Sequence, residues 1–175
     1  CIRDSLDRMG DITEGESIVD GAVQYAQSIP VNVIARMLGF PPEDEVLFRD
    51  FVHNVLERIN EPAEDREAFM QPLADYLDAQ IEDHRANPRD DLTNYLLNVE
   101  IGGNKLSDEH VRGSILLLLV AGIDTTWSAI GSSLWHLGTH PDDLQRLVDE
   151  PDIMMFALEE FLRAYAPVTM ARLVK

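Results

Sequence analysis

The sequence predicts a mainly α fold, with helices gathered around one long buried central helix and a few short strands. Three observations carry this expectation. Apolar residues recur at helical spacing through most of the chain. Pro and Gly fall between those periodic stretches, where helices start and stop. From Ser107 to about Leu137 the helical pattern runs on without a proline, and about 30 residues at about 1.5 Å each span about 45 Å, the width of a sizeable domain.

Composition sets the outer limits. The chain has 175 residues, 45% hydrophobic and 26% charged, too apolar for disorder and long enough for one core. Lys and Arg number 14 against 32 Asp and Glu, a formal charge of −18. Nucleic-acid binding needs a basic footprint, so that class is excluded, and docking on an anionic membrane is disfavoured. The longest apolar run, Ile115–Ile123, falls short of the roughly 18 residues of a spanning segment, so no membrane crossing is expected here. Cys1 alone makes no internal disulfide, which fits a reducing, cytoplasmic setting. Ile2, Leu6 and Met9 open the sequence inside an amphipathic pattern, and Arg172–Lys175 stops within an apolar one. The expectation is one partial domain over 1–175, cut from a longer protein, with an anchor before Cys1 left open.

The elements follow in order. Val31–Leu38 reads as a short helix, with Pro30 in its first turn and Gly39 just past its end. A second helix follows Pro41-Pro42, with Glu43, Asp44 and Glu45 at its positive end and Leu47, Phe51, Val55 and Ile59 as its stripe. A third runs from about Glu64 to Arg85 with Phe69, Leu73, Tyr76, Leu77 and Ile81. Asp91–Val99 is a short fourth, and Gly102-Gly103-Asn104 a turn. Ser107 suits the N-cap of the long helix, with Asp108 and Glu109 behind it, and Gly138 with Pro141 stops it. Its middle, Ile115–Val120, is apolar all round, which predicts burial on every side, although the flanking helices can supply only part of that cover. Helices at Pro141–Val148 and Ile153–Tyr165 come next, and Ala166-Pro167-Val168 leads into a strand.

The chemistry concentrates where the long helix reads Ala121-Gly122-Ile123-Asp124-Thr125-Thr126. An interior glycine costs about 0.5–1 kcal/mol relative to alanine, and a carboxylate in an apolar surround is expensive unless hydrogen-bonded. Two readings stand open. The segment is a notch that holds a small polar ligand beside a hydroxyl and a carboxylate able to pass protons. Or it is a glycine-permitted helix crossing, with Asp124 satisfied by a distant Arg. Further on, Glu160 and Arg163 in Glu159-Glu160-Phe161-Leu162-Arg163 can pair on one helix face. Arg172, nine residues beyond Arg163, lies in an apolar stretch that calls for an anionic partner.

The ordered set of AGIDTT in a long helix, ALEEFLR after it, then APV and Arg172, resembles the cytochrome P-450 family of haem-thiolate monooxygenases, the soluble bacterial branch above all. The intervening SAIGSSLWHLGTHPDDLQRLVDEP has that family's spacing too. The resemblance implies that Ser107–Leu137 is the family's central helix, with Asp124 and Thr125 the acid–alcohol pair that delivers protons to bound dioxygen. It implies that Ala121 and Gly122 form the oxygen groove, and that Arg172 holds a propionate of haem b (iron protoporphyrin IX). Glu160 and Arg163 would be the structural pair, and Leu117, Val120, Val168 and Met170 would line the substrate pocket. The helices carrying Phe48–Ile59 and Phe69–Ile81 would be its lid. The implied activity inserts one oxygen atom from O2 into a hydrophobic small molecule, with NAD(P)H electrons arriving through a ferredoxin and its reductase. The thiolate ligand belongs to a family loop beyond this sequence. Cys1 is not given that role, so this sequence carries no metal ligand of its own and is expected to be inactive alone.

Rival readings are weaker. His136 and His140 have the spacing of a zinc helix, yet no Glu lies between them, and Gly138 is expected to end the helix there. His53, His84 and His110 are expected on polar faces. Asp90-Asp91 has the look of the magnesium motif of all-helical isoprenoid enzymes, but Pro88 puts these acids at a helix start, where Asp caps. An acidic helical scaffold would use Glu61–Glu67 and Asp149–Asp152 as its surface, where solvated faces are the ordinary explanation.

Overall fold

The computed structural model describes residues 7, 18–58 and 60–168. Cys1, Ile2, Leu6, Met9, Ile59, Met170, Arg172, the Phe69 side chain and the strand expected after Val168 lie outside the described residues. The chain is mainly helical, as its pattern predicts, and divides into two compact units, Ile29–Asp124 and a second made of residues 1–28 with Thr125–Lys175.

In the first unit, α1 (Ser28–Leu38) buries Val31, Ile34, Ala35 and Leu38, one helical stripe. It ends as its sequence requires. Gly39 takes a φ of 72°, its amide donates to the Arg36 carbonyl, and the Phe40 amide donates to that of Ala35. This paired arrangement closes the open carbonyls of the last turn and demands a left-handed residue. Pro42–Asp44 then forms a single 3-10 turn ahead of α2 (Glu45–Glu57). The α2 core line falls one residue from the expected stripe: Phe48, Phe51 and Val52 are buried, whereas Leu47 is 43% exposed.

Helix α3 (Ala63–Ala86) buries Leu73, Leu77 and Ile81 as expected. It also buries His84 completely, which corrects its expected polar setting. Position 84 continues the Leu73–Leu77–Ile81 row by helical spacing, and its Nδ1 donates to the Gln80 carbonyl at 2.7 Å. Rings of Phe40, Phe48 and Tyr76 meet with centroids 5.6–5.8 Å apart. The Tyr76 hydroxyl donates to Asp44 Oδ2 at 2.6 Å. Burial first, and then that carboxylate, push the phenol far above its ordinary pKa.

Helix α4 (Leu92–Asn98) has Asp91 as its N-cap, accepting from the Asn94 amide at 2.9 Å. Asp91 thus acts as a cap, and its Oδ2 lies 3.2 Å from His84 Nε2. Both atoms are buried, and neither has a hydrogen-bond partner among the described residues. The strands β1 (Glu100–Ile101) and β2 (Asn104–Lys105) pair antiparallel around Gly102 and Gly103, with φ of 62° and 80°. Two positive φ values in a two-residue loop are what the twist of a tight hairpin asks for.

Helix α5 (Asp108–Thr139) is the dominant element and passes unbroken through the division between the units. Ser107 Oγ accepts from the His110 amide at 3.3 Å at its start. Gly138 does not stop it, contrary to expectation. A glycine penalty of about 1 kcal/mol is small for a helix this long, and the helix stops only ahead of Pro141. Burial on all sides is also corrected. Val111, Ile115, Leu119 and Ile123 are buried, while Leu117 is 66% exposed. By length and composition α5 could also cross a membrane, a test that core helices pass equally.

The second unit contains one π-helical turn (Gly21–Ala26), the Thr125–Thr139 part of α5, α6 (Pro141–Asp149), a 3-10 turn (Pro151–Ile153) and α7 (Met154–Ala164). Among its described residues few are buried, Leu147 being one, and α7 has none.

Two glycines give a sharp contrast. A Cβ at Gly39 would collide with the Asp91 carboxyl group and lie 2.9 Å from His84 Nε2, while one at Gly113 would meet nothing. Gly39→Ala is expected to lower stability by at least about 1–2 kcal/mol, the left-handed penalty alone. Gly113→Ala should raise it by about 0.5–1 kcal/mol. Urea unfolding followed by circular dichroism checks both signs.

Candidate functional site

At 3.6 residues per turn, successive side chains on α5 are about 100° apart, so the segment 111–125 has two distinct faces. The buried row of Val111, Ile115, Leu119 and Ile123 marks one of them. Leu117, Val120, Ala121, Asp124 and Thr125 fall together on the other, in a sector of about 140°. Leu117 and Ala121 are exposed, and Val120, Asp124 and Thr125 are half-buried. The result is an apolar strip that ends in a carboxylate beside a hydroxyl. Asp124 has no hydrogen-bonding or charged partner among the described residues, so no Arg of theirs satisfies it.

Gly122 stands apart from that face. It lies on the buried side, and a Cβ there would be 2.9 Å from Cδ1 and 3.4 Å from Cγ1 of Ile34 on α1. Its small size serves a close helix crossing, one of the two readings its sequence left open. Ala121 is the small residue on the open face.

Glu160 and Arg163 pair as their spacing predicts. Arg163 Nε donates to Glu160 Oε2 at 2.7 Å and Nη2 to Oε1 at 2.6 Å, a two-pronged contact on the surface of α7. The hydrogen bond from Arg163 holds the Glu160 carboxyl below its ordinary pKa. The sign follows: the pair's contribution is complete above the unfolded glutamate value and fades as pH falls through the lowered folded value. Both groups are exposed, so water screens much of the effect. Val168, just beyond α7, is 50% exposed.

His136 and His140 do not follow the zinc reading's geometry. The helix continues through Thr139, and the two rings stack at 4.2 Å and 8°. His136 spends its nitrogens on Asp143 and Tyr165, and His140 Nδ1 faces the His136 carbonyl. Among the described residues no group of three ligating side chains gathers. The Tyr165–His136–Asp143 network was not legible in the sequence, because its members meet only when α5, α6 and the end of α7 come together.

The cytochrome P450 family model matches residues 35–168, most of the chain. This chain belongs to the cytochrome P450 family. A vitamin D(3) 25-hydroxylase from Pseudonocardia autotrophica is 39% identical over 154 residues, covering 87% of this chain and 38% of that protein. The polyketide biosynthesis cytochrome P450 PksS of Bacillus subtilis is 30% identical over 169 residues, 97% of this chain and 42% of its own length. The ligand-free structure of cytochrome P450 TbtJ1 superposes with a TM-score of 0.80 at 35% identity, over 93% of this chain and 44% of that one. The chain thus spans about 40% of the length of the P450s it matches, and it has part of their fold.

Two measurements test this geometry. Adding Gly122→Ala to the Ile34→Val variant, which lacks Cδ1, should stabilise by about 0.5–1 kcal/mol. On the native background the same change should gain nothing or cost about 1 kcal/mol, because the new methyl crowds Ile34. For α7, Arg163→Gln should move the Glu160 titration midpoint upward, read by carbon NMR of the side-chain carboxyl.

Proposed function

We propose that this chain is the central part of a haem-thiolate monooxygenase that inserts one oxygen atom from O2 into a hydrophobic organic substrate. The observation that carries the reading is the open face of α5, where an apolar strip ends in an acid, without a partner among the described residues, beside a hydroxyl. Family membership and the Glu160–Arg163 pair support it. Haem b fits that face: Leu117 is exposed, and Ala121 leaves room for the close approach of a flat apolar ring. Leu117 and Ala121 would lie against the ring, and Arg172 would grip its propionate. Bound there with a thiolate from another part of the protein, haem supplies the activation of dioxygen.

The chain's own residues supply the proton path. The Thr125 hydroxyl accepts and donates, so it can hold a proton next to the reacting oxygen and take another from behind. Asp124, adjacent in sequence and half-buried, replenishes it as a carboxyl group that gains and loses protons. Leu117 and Val120 exclude stray water and give an apolar substrate one wall of its pocket. The helices α2 and α3 would serve as its lid by the family resemblance. The names of two relatives, one a vitamin D(3) hydroxylase and one a polyketide-biosynthesis enzyme, agree with a hydrophobic substrate. Electrons come from NAD(P)H through a ferredoxin and its reductase, in the cytoplasm. The 175 residues alone are inactive.

The test begins with the complete protein, reduced under carbon monoxide, which should show the Soret band of thiolate-ligated haem. The 175-residue chain treated alike should not. In the complete protein, Thr125→Ala should divert NAD(P)H electrons into hydrogen peroxide while the substrate-induced spectral shift persists. Unchanged coupling of NAD(P)H to product would remove Thr125 from the proton path.

A further inference from the structure

The second unit holds a group of polar side chains that the oxygen chemistry does not use. Asp143 Oδ2 lies 2.9 Å from His136 Nε2, and His136 Nδ1 lies 2.7 Å from the Tyr165 hydroxyl oxygen. An ionised carboxylate only accepts, so Nε2 carries a proton and donates to Asp143. In the neutral ring Nδ1 then holds the lone pair, and the Tyr165 hydroxyl donates to it. With the imidazole neutral, the acidic end of the relay sets the direction of every hydrogen in it. Phe161 closes one side of the imidazole at 5.2 Å, and the His140 ring stacks on it at 4.2 Å. The Trp135 ring meets Tyr165 edge-on at 6.0 Å and 84°, and it is 59% exposed.

This is the arrangement that makes a phenol easy to oxidise by one electron. A phenol stripped of an electron becomes a very strong acid, so its oxidation is facile only where a base can take the proton at once. Tyr165 has such a base at hydrogen-bond distance, and Asp143 stabilises the imidazolium that results. Trp135 adds a second oxidisable ring, in contact with the first and open to solvent.

We propose that Tyr165 is a redox-active tyrosine, with His136 as its proton acceptor and Trp135 as its electron link to the surface. One electron leaves Tyr165 for an organic peroxyl radical, which becomes a hydroperoxide by taking a proton from solvent. The phenolic O–H bond breaks, and an N–H bond forms at His136 Nδ1. The products are a neutral phenoxyl radical and an imidazolium paired with Asp143. On return, a thiol or ascorbate in solvent gives one electron to the phenoxyl radical by way of the Trp135 ring, while His136 hands the proton back. Asp143 is a positioning residue, since it acts through the imidazole. The proposal stands apart from the haem reading, because an external oxidant can drive the same step.

The experiment uses the complete protein and photogenerated tris(bipyridine)ruthenium(III), with flash absorption and freeze-quench electron paramagnetic resonance. A tyrosyl radical should form more slowly in D2O than in H2O, and its yield should drop in Tyr165→Phe. His136→Gln should slow its formation by at least about a hundredfold, the low end of what a positioned base contributes. Asp143→Asn should slow it less. Placing 3-fluorotyrosine at position 165 keeps the hydroxyl and the fold, and fluorine splitting in the trapped radical should identify the site. An unsplit spectrum from that protein, or a rate and isotope effect unchanged by His136→Gln, would overturn the proposal; a merely structural network predicts both.

Discussion

The organising constraint in this chain is the two-sidedness of α5. One side of its middle is committed to packing: Val111, Ile115, Leu119 and Ile123 are buried, and Gly122 admits Ile34 of α1 so closely that a methyl group would crowd it. That commitment fixes the rotation of the helix. Once the rotation is fixed, Leu117, Ala121, Asp124 and Thr125 must share the opposite side, and no other part of the chain has to be told where they go. The helix's apolar content thus has two destinations. Half of it holds the first unit together, and half of it forms an uncovered strip leading to an acid and a hydroxyl. That strip is where we propose the haem to lie.

The first unit protects this orientation from the other end. Its α1 terminus, the last turn of α3 and the cap of α4 meet at Gly39, His84 and Asp91. There the backbone approaches the imidazole and carboxylate too closely for any side chain. Thr93 adds a hydrogen bond to the Leu38 carbonyl, and Arg89 one to that of Gly39. These contacts hold α1 in place, and α1 carries the isoleucine that Gly122 accommodates. The path from a turn glycine to the proposed proton path is short, and it runs through packing rather than through charge.

Much of this was legible in the sequence, for identifiable reasons. Pro30, Gly39, Pro42, Pro88 and Pro141 lie at or near helix ends because proline and glycine act through the backbone, whatever packs around them. The Glu160–Arg163 pair needs only one helix turn, so spacing alone reveals it. What escaped depends on neighbours. The α2 core line lies one residue from its expected stripe because tertiary packing selects among nearly equivalent faces. His84 was placed among polar groups because its type outweighed its position in the Leu73–Leu77–Ile81 row. Gly138 was given a stopping power that a single glycine lacks inside a long helix. At Gly122 the sequence could show that closeness was needed, but not whether the close neighbour was a ligand or an isoleucine.

The central claim, that the Leu117–Ala121 side of α5 faces the haem, can be measured directly by methyl NMR of the complete protein. Leucine and valine methyl groups are labelled with carbon-13, and line widths are compared between ferric haem and a diamagnetic zinc porphyrin in the same site. Paramagnetic broadening falls with the sixth power of distance, and the two sides of a helix with its side chains are about 10 Å apart. The account predicts strong broadening at Leu117 and Val120 and weak broadening at Leu119. Equal broadening on both sides, or a stronger effect at Leu119, would contradict it.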